Sequence, residues 1–263
     1  MDLVDLLGFF IAFLIGIVLG LVGGGGSILT LPLLVYLLGY NPVVATAYSL
    51  FVVGASSMVG VIQKNKEKLV DFKTGLSFSF PSFLAVFLSR RFLVPNIPEV
   101  IFSTNNFVFT KGMAIMMFFA VVMIMASTSM LKNTKKANQP FIKLPYYKIF
   151  FQGLAIGCIT GLIGAGGGFL YVPALVLWAG LPMKKAVGTS LVIIAINSII
   201  GFSGDLHNLE INWEFLLIFT SLTILGVLLG GFLSKFISNK KLKKSFGWLV
   251  MIMAFYIIIK EIY

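Results

Sequence analysis

A glycine-rich stretch occurs twice in this chain, and the repetition constrains the fold more than any other feature. The second copy follows the first after about 141 residues, and matches at that single offset run from the glycines through a proline to two serines. The identical pairs include Gly20/Gly161, Gly23/Gly164, Gly26/Gly167, Pro32/Pro173, Ser49/Ser190, Ser57/Ser198 and Gly60/Gly201. So many matches without a gap indicate an internal duplication. The chain is therefore expected to form two related halves, with its function where the halves meet.

The composition assigns both halves to the membrane. Of the 263 residues, 59% are hydrophobic and 11% are charged, whereas a soluble domain carries about 25% charged residues. Apolar segments of about 18 to 25 residues, long enough to cross a bilayer, recur along the sequence. We therefore predict an all-α polytopic protein that crosses the cell (cytoplasmic) membrane several times.

Ten apolar segments are visible, five in each half. In the first half they cover residues 3–22, 27–40, 43–62, 72–93 and 107–131. In the second half they cover residues 146–163, 168–181, 186–204, 213–234 and 245–262. The predicted division is a first membrane repeat at 1–131, a basic cytoplasmic linker at 132–145 and a second membrane repeat at 146–263.

The net charge of +11 does not indicate nucleic-acid binding. The cations lie in short loops between apolar segments, where the positive-inside rule and contact with anionic lipid account for them. Cys158 is the only cysteine, which rules out a disulfide framework and a cysteine-based metal site. We expect neither a cofactor nor a metal. The expected partners are a small anionic substrate and the lipid bilayer, and a homodimer is left open.

Equivalent loops of the two halves carry opposite charge. Residues 64–73 are net basic, whereas their counterparts at 205–214 are net acidic. Because basic loops stay on the cytoplasmic side, the two loops are expected on opposite sides of the membrane. This pattern predicts two inverted repeats of five segments each. Arg90 and Arg91 do not fit it, and we expect them to snorkel outward or to line a vestibule.

The second segment of each half is too short for an ordinary crossing. Residues 27–40, if helical, span about 21 Å, whereas the hydrocarbon core is about 30 Å thick. The adjacent glycines, with Pro32 and Pro173, predict interrupted backbone, and whether these segments cross fully is left open. Such backbone is tolerated only where protein packs around it or where it lines a wet cavity. Paired broken segments are typical of a transporter's substrate site; the alternative is that the glycines only allow close helix packing.

Close packing is the interpretation for glycines that recur every fourth residue. Such small-residue ladders let two helices approach closely in a membrane. The ladders are Ala12, Gly16 and Gly20, then Gly153, Gly157 and Gly161, and finally Gly226 and Gly230 with their counterparts Ala85 and Ser89.

The candidate site combines the glycine bends with polar side chains of the third segments. A bend that opens a helix presents backbone N–H groups and the positive end of the helix dipole, which together suit an anion. Hydroxyl and amide groups add ligands without a competing negative charge, although Ser and Thr often bond only their own helix. The predicted substrate-binding residues are Gly23, Gly24, Gly25, Gly26, Ser27, Ser49, Gly164, Gly166, Gly167, Gly168, Thr189, Ser190 and Asn197.

The sequence shows no enzyme signature. The run Gly164-Ala-Gly-Gly-Gly lacks the spacing of a dinucleotide fingerprint and the Lys-Ser/Thr of a phosphate-binding loop. No cluster of metal ligands and no nucleophile–base set is visible. We therefore do not expect catalytic residues.

At these stretches the sequence resembles the TauE/SafE family of sulfite exporters. The resemblance rests on Gly20-Leu-Val-Gly-Gly-Gly-Gly with Pro32 and Ala45-Thr-Ala-Tyr-Ser-Leu, and on Gly161-Leu-Ile-Gly-Ala-Gly-Gly-Gly with Pro173 and Ala186-Val-Gly-Thr-Ser-Leu. It implies a permease that exports sulfite, sulfoacetate or a related organosulfur anion. We expect export of such an anion by alternating access. The alternatives are a passive anion channel and a membrane scaffold that transports nothing.

Overall fold

The computed structural model of the chain describes residues 3–104, 107–132, 146–163, 167–205, 209 and 211–262. The helices of the first half are α1 (Leu3–Val22), α2 (Gly25–Pro32), α3 (Pro42–Lys66), α4 (Phe72–Leu88), α5 (Val94–Asn96) and α6 (Lys111–Leu131). Those of the second half are α7 (Tyr146–Ile163), α8 (Gly168–Leu177), α9 (Met183–Asp205), α10 (Trp213–Leu233) and α11 (Asn239–Ile262). Each of the ten predicted segments overlaps one helix of eight residues or more, which confirms an all-α polytopic membrane fold.

Six helices of the described part of the chain are long and apolar enough to cross a membrane. The second segments are much shorter, as the sequence predicts. Helix α8 has 10 residues, which corresponds to about 15 Å, or about half of the hydrocarbon core. Helix α2 is extended by a π-helical turn at Leu33–Leu37, which follows Pro32, a residue without a backbone N–H for the regular helix ladder.

A small β-hairpin is the element that the sequence does not predict. Strands β1 (Val100–Thr104) and β2 (Phe107–Thr110) pair antiparallel before α6. The predicted segment 107–131 is therefore wrong at its start, since its first four residues form β2. Thr110 marks the boundary because its hydroxyl accepts a hydrogen bond from the Met113 N–H and caps α6.

The helices of the two halves interlock. Helix α1 packs along α10, and their counterparts α7 and α4 form the same pair. Glycines allow this approach: a Cβ atom at Gly16 would lie 2.1 Å from the Thr223 carbonyl oxygen, and one at Gly157 would lie 2.4 Å from that of Ser82. The structure thus confirms that the small-residue ladders are helix–helix contacts.

Helices α3 and α9 pair with each other at the centre of the protein. They run antiparallel, since Leu50 lies against Gly201 at one end and Gly60 against Leu191 at the other, with Gly54 and Ser198 between them. Equivalent helices of the two halves therefore point in opposite directions where they touch. The inverted arrangement of the halves in the bilayer, and the division at 132–145, stay predictions.

Candidate functional site

The two glycine bends meet where the halves touch. Gly23 has a left-handed backbone (φ +72) between α1 and α2, and Gly167 has the same conformation (φ +71) before α8. A Cβ atom at Gly24 would lie 2.3 Å from the Gly168 carbonyl oxygen, and one at Gly168 would lie 2.6 Å from the Gly24 Cα. Only glycine allows this backbone contact. Consecutive glycines therefore bring the starts of α2 and α8 together.

The other predicted glycines fall into two groups. Gly25, Gly26 and Ser27 form the first turn of α2, and the side chain of Ser27 lies outside the described part of the structure. Gly26 is packed against Leu19 of α1. Gly164 and Gly166 lie outside the described residues, so their predicted role stays a prediction.

Ser190 connects α9 to the first bend. Its hydroxyl shares its one hydrogen between the carbonyl oxygens of Gly23, at 3.1 Å, and Val187, at 2.8 Å. Val187 itself lies against Gly23. The structure therefore brings Ser190 to the bend, and the hydroxyl fixes the bend in place as well as its own helix.

Ser49, the counterpart of Ser190, differs from it in hydrogen bonding. Its hydroxyl is buried and has no hydrogen-bond partner among the described residues. The equivalent pair Ser57 and Ser198 shares this property, and Ser198 lies against Gly54 at the crossing of α3 and α9. Three unpaired hydroxyls thus line the central helix pair. A buried hydroxyl without a partner costs free energy, so such a group indicates a place for a ligand or for water.

Thr189 is engaged elsewhere. Its Oγ1 accepts a hydrogen bond from the Asp71 N–H at 3.0 Å, just where Asp71 caps the start of α4. Thr189 therefore fixes the connection between α3 and α4, and its hydroxyl is turned toward that connection.

Asn197 lies in a side-chain network that joins three helices. Its Nδ2 donates to the Tyr171 hydroxyl at 2.6 Å and to the Ser82 hydroxyl at 2.8 Å, and these two hydroxyls bond each other. The Asn197 Oδ1 is buried without a partner in the described part of the chain. The network joins α8, α9 and α4 and leaves one acceptor free.

The equivalent positions of the other half hold no such network. Ser56, Thr30 and Thr223 correspond to Asn197, Tyr171 and Ser82. Each of the three hydroxyls bonds a carbonyl oxygen four residues back in its own helix: those of Val52, Gly26 and Phe219. The polar interior is therefore asymmetric although the helices repeat. Sequence reasoning missed Tyr171 and Ser82, and the difference between the repeats at these positions was the signal that could have found them.

Arg90 is fully buried in an ion pair with Asp205, the last residue of α9. The expectation that Arg90 snorkels outward is therefore wrong. The assignment of Asp205 to the loop at 205–214 is also wrong, because Asp205 is the last residue of α9 and its carboxylate pairs with the guanidinium. Lys64, at the position equivalent to Asp205, is also buried. Sequence reasoning missed the burial and pairing of these charges, because contacts between the two halves depend on how each helix is rotated.

The predicted site is closed in this conformation. Ser49, Thr189 and Ser190 have no exposed surface, and Asn197 has 1%. A cavity of about 350 Å³ between the end of α6 and the start of α11 is lined by other residues, namely Met130, Leu131, Lys240, Lys243 and Lys244. An anion could reach the bends only after the surrounding helices move.

Comparison with known proteins gives one consistent result. The model of the family described as "Sulfite exporter TauE/SafE" matches residues 8–257. A probable membrane transporter protein of Xylella fastidiosa (strain Temecula1) is 28% identical over 253 residues, covering 93% of this chain and 91% of the relative. The probable membrane transporter protein YunE of Bacillus subtilis is 30% identical over 285 residues, covering 94% and 95%. No solved structure matches the chain.

Proposed function

Because the chain belongs to the TauE/SafE sulfite exporter family, a family of membrane transporters and not of enzymes, we propose that its cargo is a small sulfur oxyanion or organosulfonate. The proposed direction is export across the cell membrane, and the proposed mechanism is alternating access. The anion would bind where the two glycine bends meet, beside the central pair of α3 and α9.

The meeting of the bends is the observation that carries this proposal. Gly24 and Gly168 are in backbone contact at the starts of α2 and α8. Helix starts favour negative charge. The neutral hydroxyls of Ser49, Ser57 and Ser198 are buried without partners among the described residues. A sulfur oxyanion would accept hydrogen bonds from such hydroxyls and would remove the cost of leaving them unpaired.

Alternating access is supported by the closed site and by the helix directions. The bends are sealed in this conformation, so transport requires at least one other conformation. The antiparallel contact of α3 with α9 places the end of α3 beside the start of α9, where Lys64 lies against Gly188. If both helices cross the bilayer, the loops that follow them lie on opposite sides. Halves of opposite orientation can exchange roles between an inward-open and an outward-open state.

Export is the proposed direction because the membrane potential favours it. With the inside negative, one elementary charge gains about 2.3 kcal/mol per 100 mV on leaving the cell. At 100 mV, this free energy corresponds to a monovalent anion concentration about 50-fold higher outside than inside at equilibrium. Proton coupling is therefore not required for efflux.

Flux measurements in vesicles test the proposal. The purified chain is reconstituted, and uptake of sulfite, thiosulfate, sulfoacetate and taurine is measured beside protein-free vesicles. We expect saturable flux of at least one sulfur anion, accelerated by a membrane potential of the appropriate sign. A conductance far above carrier turnover would show a passive channel instead. An absence of flux for all four solutes would contradict the proposed cargo class.

A further inference from the structure

Arg90 is buried next to Asp205 but is only partly paired. Its Nε lies 3.0 Å and 2.8 Å from the two carboxylate oxygens, and its Nη2 also bonds the carboxylate. Arg90 has no exposed surface, and Asp205 has 5%. The Nη1 of Arg90 has no hydrogen-bond partner among the described residues. Two N–H donors of a buried cation are therefore unused, which is costly in a membrane protein unless a ligand uses them.

The equivalent position of the other half holds a buried cation whose donors are all used within the protein. Lys64 corresponds to Asp205, and Gly231 corresponds to Arg90. The Lys64 Nζ donates to the Gly231 carbonyl oxygen at 3.1 Å, to Glu67 at 3.2 Å and to the Ser234 hydroxyl. An ammonium has three donors, and all three are used here. The Arg90 site differs because the two N–H donors of Nη1 have no partner among the described residues.

Arg90 lies close to the end of α7, the helix that precedes the second glycine bend. Ser89, its neighbour in the chain, packs against Gly161, which lies in the last turn of α7. On the other side, a Cβ atom at Gly204 would lie 3.3 Å from the Arg90 Cβ. Arg90 thus stands between the end of α9 and the end of α7.

We propose that Arg90 binds the transported anion and that Asp205 occupies the guanidinium when no anion is bound. The proposal rests on the proposed function and names a charged residue for the same transport path. A guanidinium offers parallel N–H donors that match two oxygens of a carboxylate, and a sulfite or sulfonate group presents oxygens with similar spacing. The incoming anion engages Nη1 first and then displaces the carboxylate.

The internal carboxylate explains how a buried arginine is tolerated in the empty protein. An unpaired charge at this depth is strongly unfavourable, so the cation needs an anion at every stage. Exchange of Asp205 for a substrate anion keeps the cation paired throughout. Competition between the two anions also keeps binding weak enough for release.

Neutralising the pair tests the proposal without leaving an unpaired charge. The double variant Arg90→Gln/Asp205→Asn removes both charges, and Arg91→Gln removes the adjacent, partly exposed arginine as the matched control. We expect the double variant to raise the KM for sulfite or thiosulfate flux about 10- to 100-fold, with the KM of the control unchanged. Asp205→Asn alone leaves the guanidinium unpaired in the empty protein, so it should lower the unfolding temperature without anion. Because the competing carboxylate is gone, the folded variant should bind sulfite or thiosulfate more tightly and show a lower KM.

Binding is read separately from transport, as the rise in unfolding temperature with sulfite or thiosulfate concentration. We expect this rise for the unsubstituted chain and its loss in the double variant. If sulfite or thiosulfate stabilises the unsubstituted chain but not the double variant, and the unsubstituted chain carries no flux, the proposed function fails and the Arg90 site stands. If the double variant keeps the original KM or the original stabilisation, or if Asp205→Asn weakens binding, the Arg90 site is wrong. Absence of stabilisation in both proteins would also overturn it.

Discussion

Gly24 and Gly168 touch through their backbones, and this contact joins the two broken segments of the repeat. The closest approach is so short that neither residue can carry a side chain. The contact also explains why the glycines are consecutive: a left-handed residue turns the chain, and the glycine that follows must allow the other half to approach. The bend and the interface are thus made by the same residues.

Gly168→Ala is expected to lower the unfolding temperature and to abolish anion flux. The new Cβ would lie 2.6 Å from the Gly24 Cα and 2.6 Å from a methyl group of Ile194, and the backbone atom cannot give way cheaply. Gly75→Ala is the control, because its Cβ would meet nothing closer than 3.5 Å inside α4 and should stabilise the helix by about 0.5–1 kcal/mol. Thermal unfolding and flux check both variants. Equal behaviour of the two would contradict the close contact.

Replacing Asn197 by Ala is expected to cost about 1–3 kcal/mol of stability, since two buried hydroxyls lose their shared donor. Ser56→Ala is the matched control at the equivalent position. Its hydroxyl bonds only the Val52 carbonyl of its own helix, so that variant should lose well under about 1 kcal/mol. Chemical unfolding in detergent measures both. A comparable loss in Ser56→Ala would show that the asymmetry between the halves has no energetic consequence.

The inverted arrangement predicts opposite accessibility for two exposed positions. In a Cys158→Ser background, the single substitutions are Lys66→Cys, at the basic last turn of α3, and Glu214→Cys, at the start of α10. We expect a membrane-impermeant maleimide to label the Glu214 position in intact cells and the Lys66 position only after permeabilisation. Labelling of both positions from the same side would contradict the inverted repeat.

The hydrophobic pattern predicts the helices well because each one faces lipid or the interior as a continuous apolar segment. The segments 3–22 and 146–163 have the same bounds in the structure. The duplication also places the bends correctly, since consecutive glycines exclude regular helix. These features depend on residues that are close together in the sequence, so they can be predicted without knowing which helices pack against each other.

The missed features depend on contacts between distant residues. Arg90 and Asp205 looked like interface charges because each stands near a segment end, and only the packing of α4 against α9 brings them together. Thr189 is a predicted ligand because it is a polar residue of the third segment beside Ser190, whereas its hydroxyl accepts a hydrogen bond from the Asp71 N–H. Helix rotation decides each case, and the hydrophobic period defines rotation only coarsely in a helix that is apolar on all sides.

The KM of anion flux for Ser49→Ala tests the central claim most directly. The Ser49 hydroxyl has no partner among the described residues, so its removal should leave the stability of the empty protein unchanged or slightly higher. An effect on KM must then come from the bound anion. We expect a KM about 10-fold higher or more for the transported sulfur anion, at unchanged unfolding temperature. An unchanged KM, with Ser49→Ala folded and active, would contradict an anion site between the glycine bends and the central helix pair.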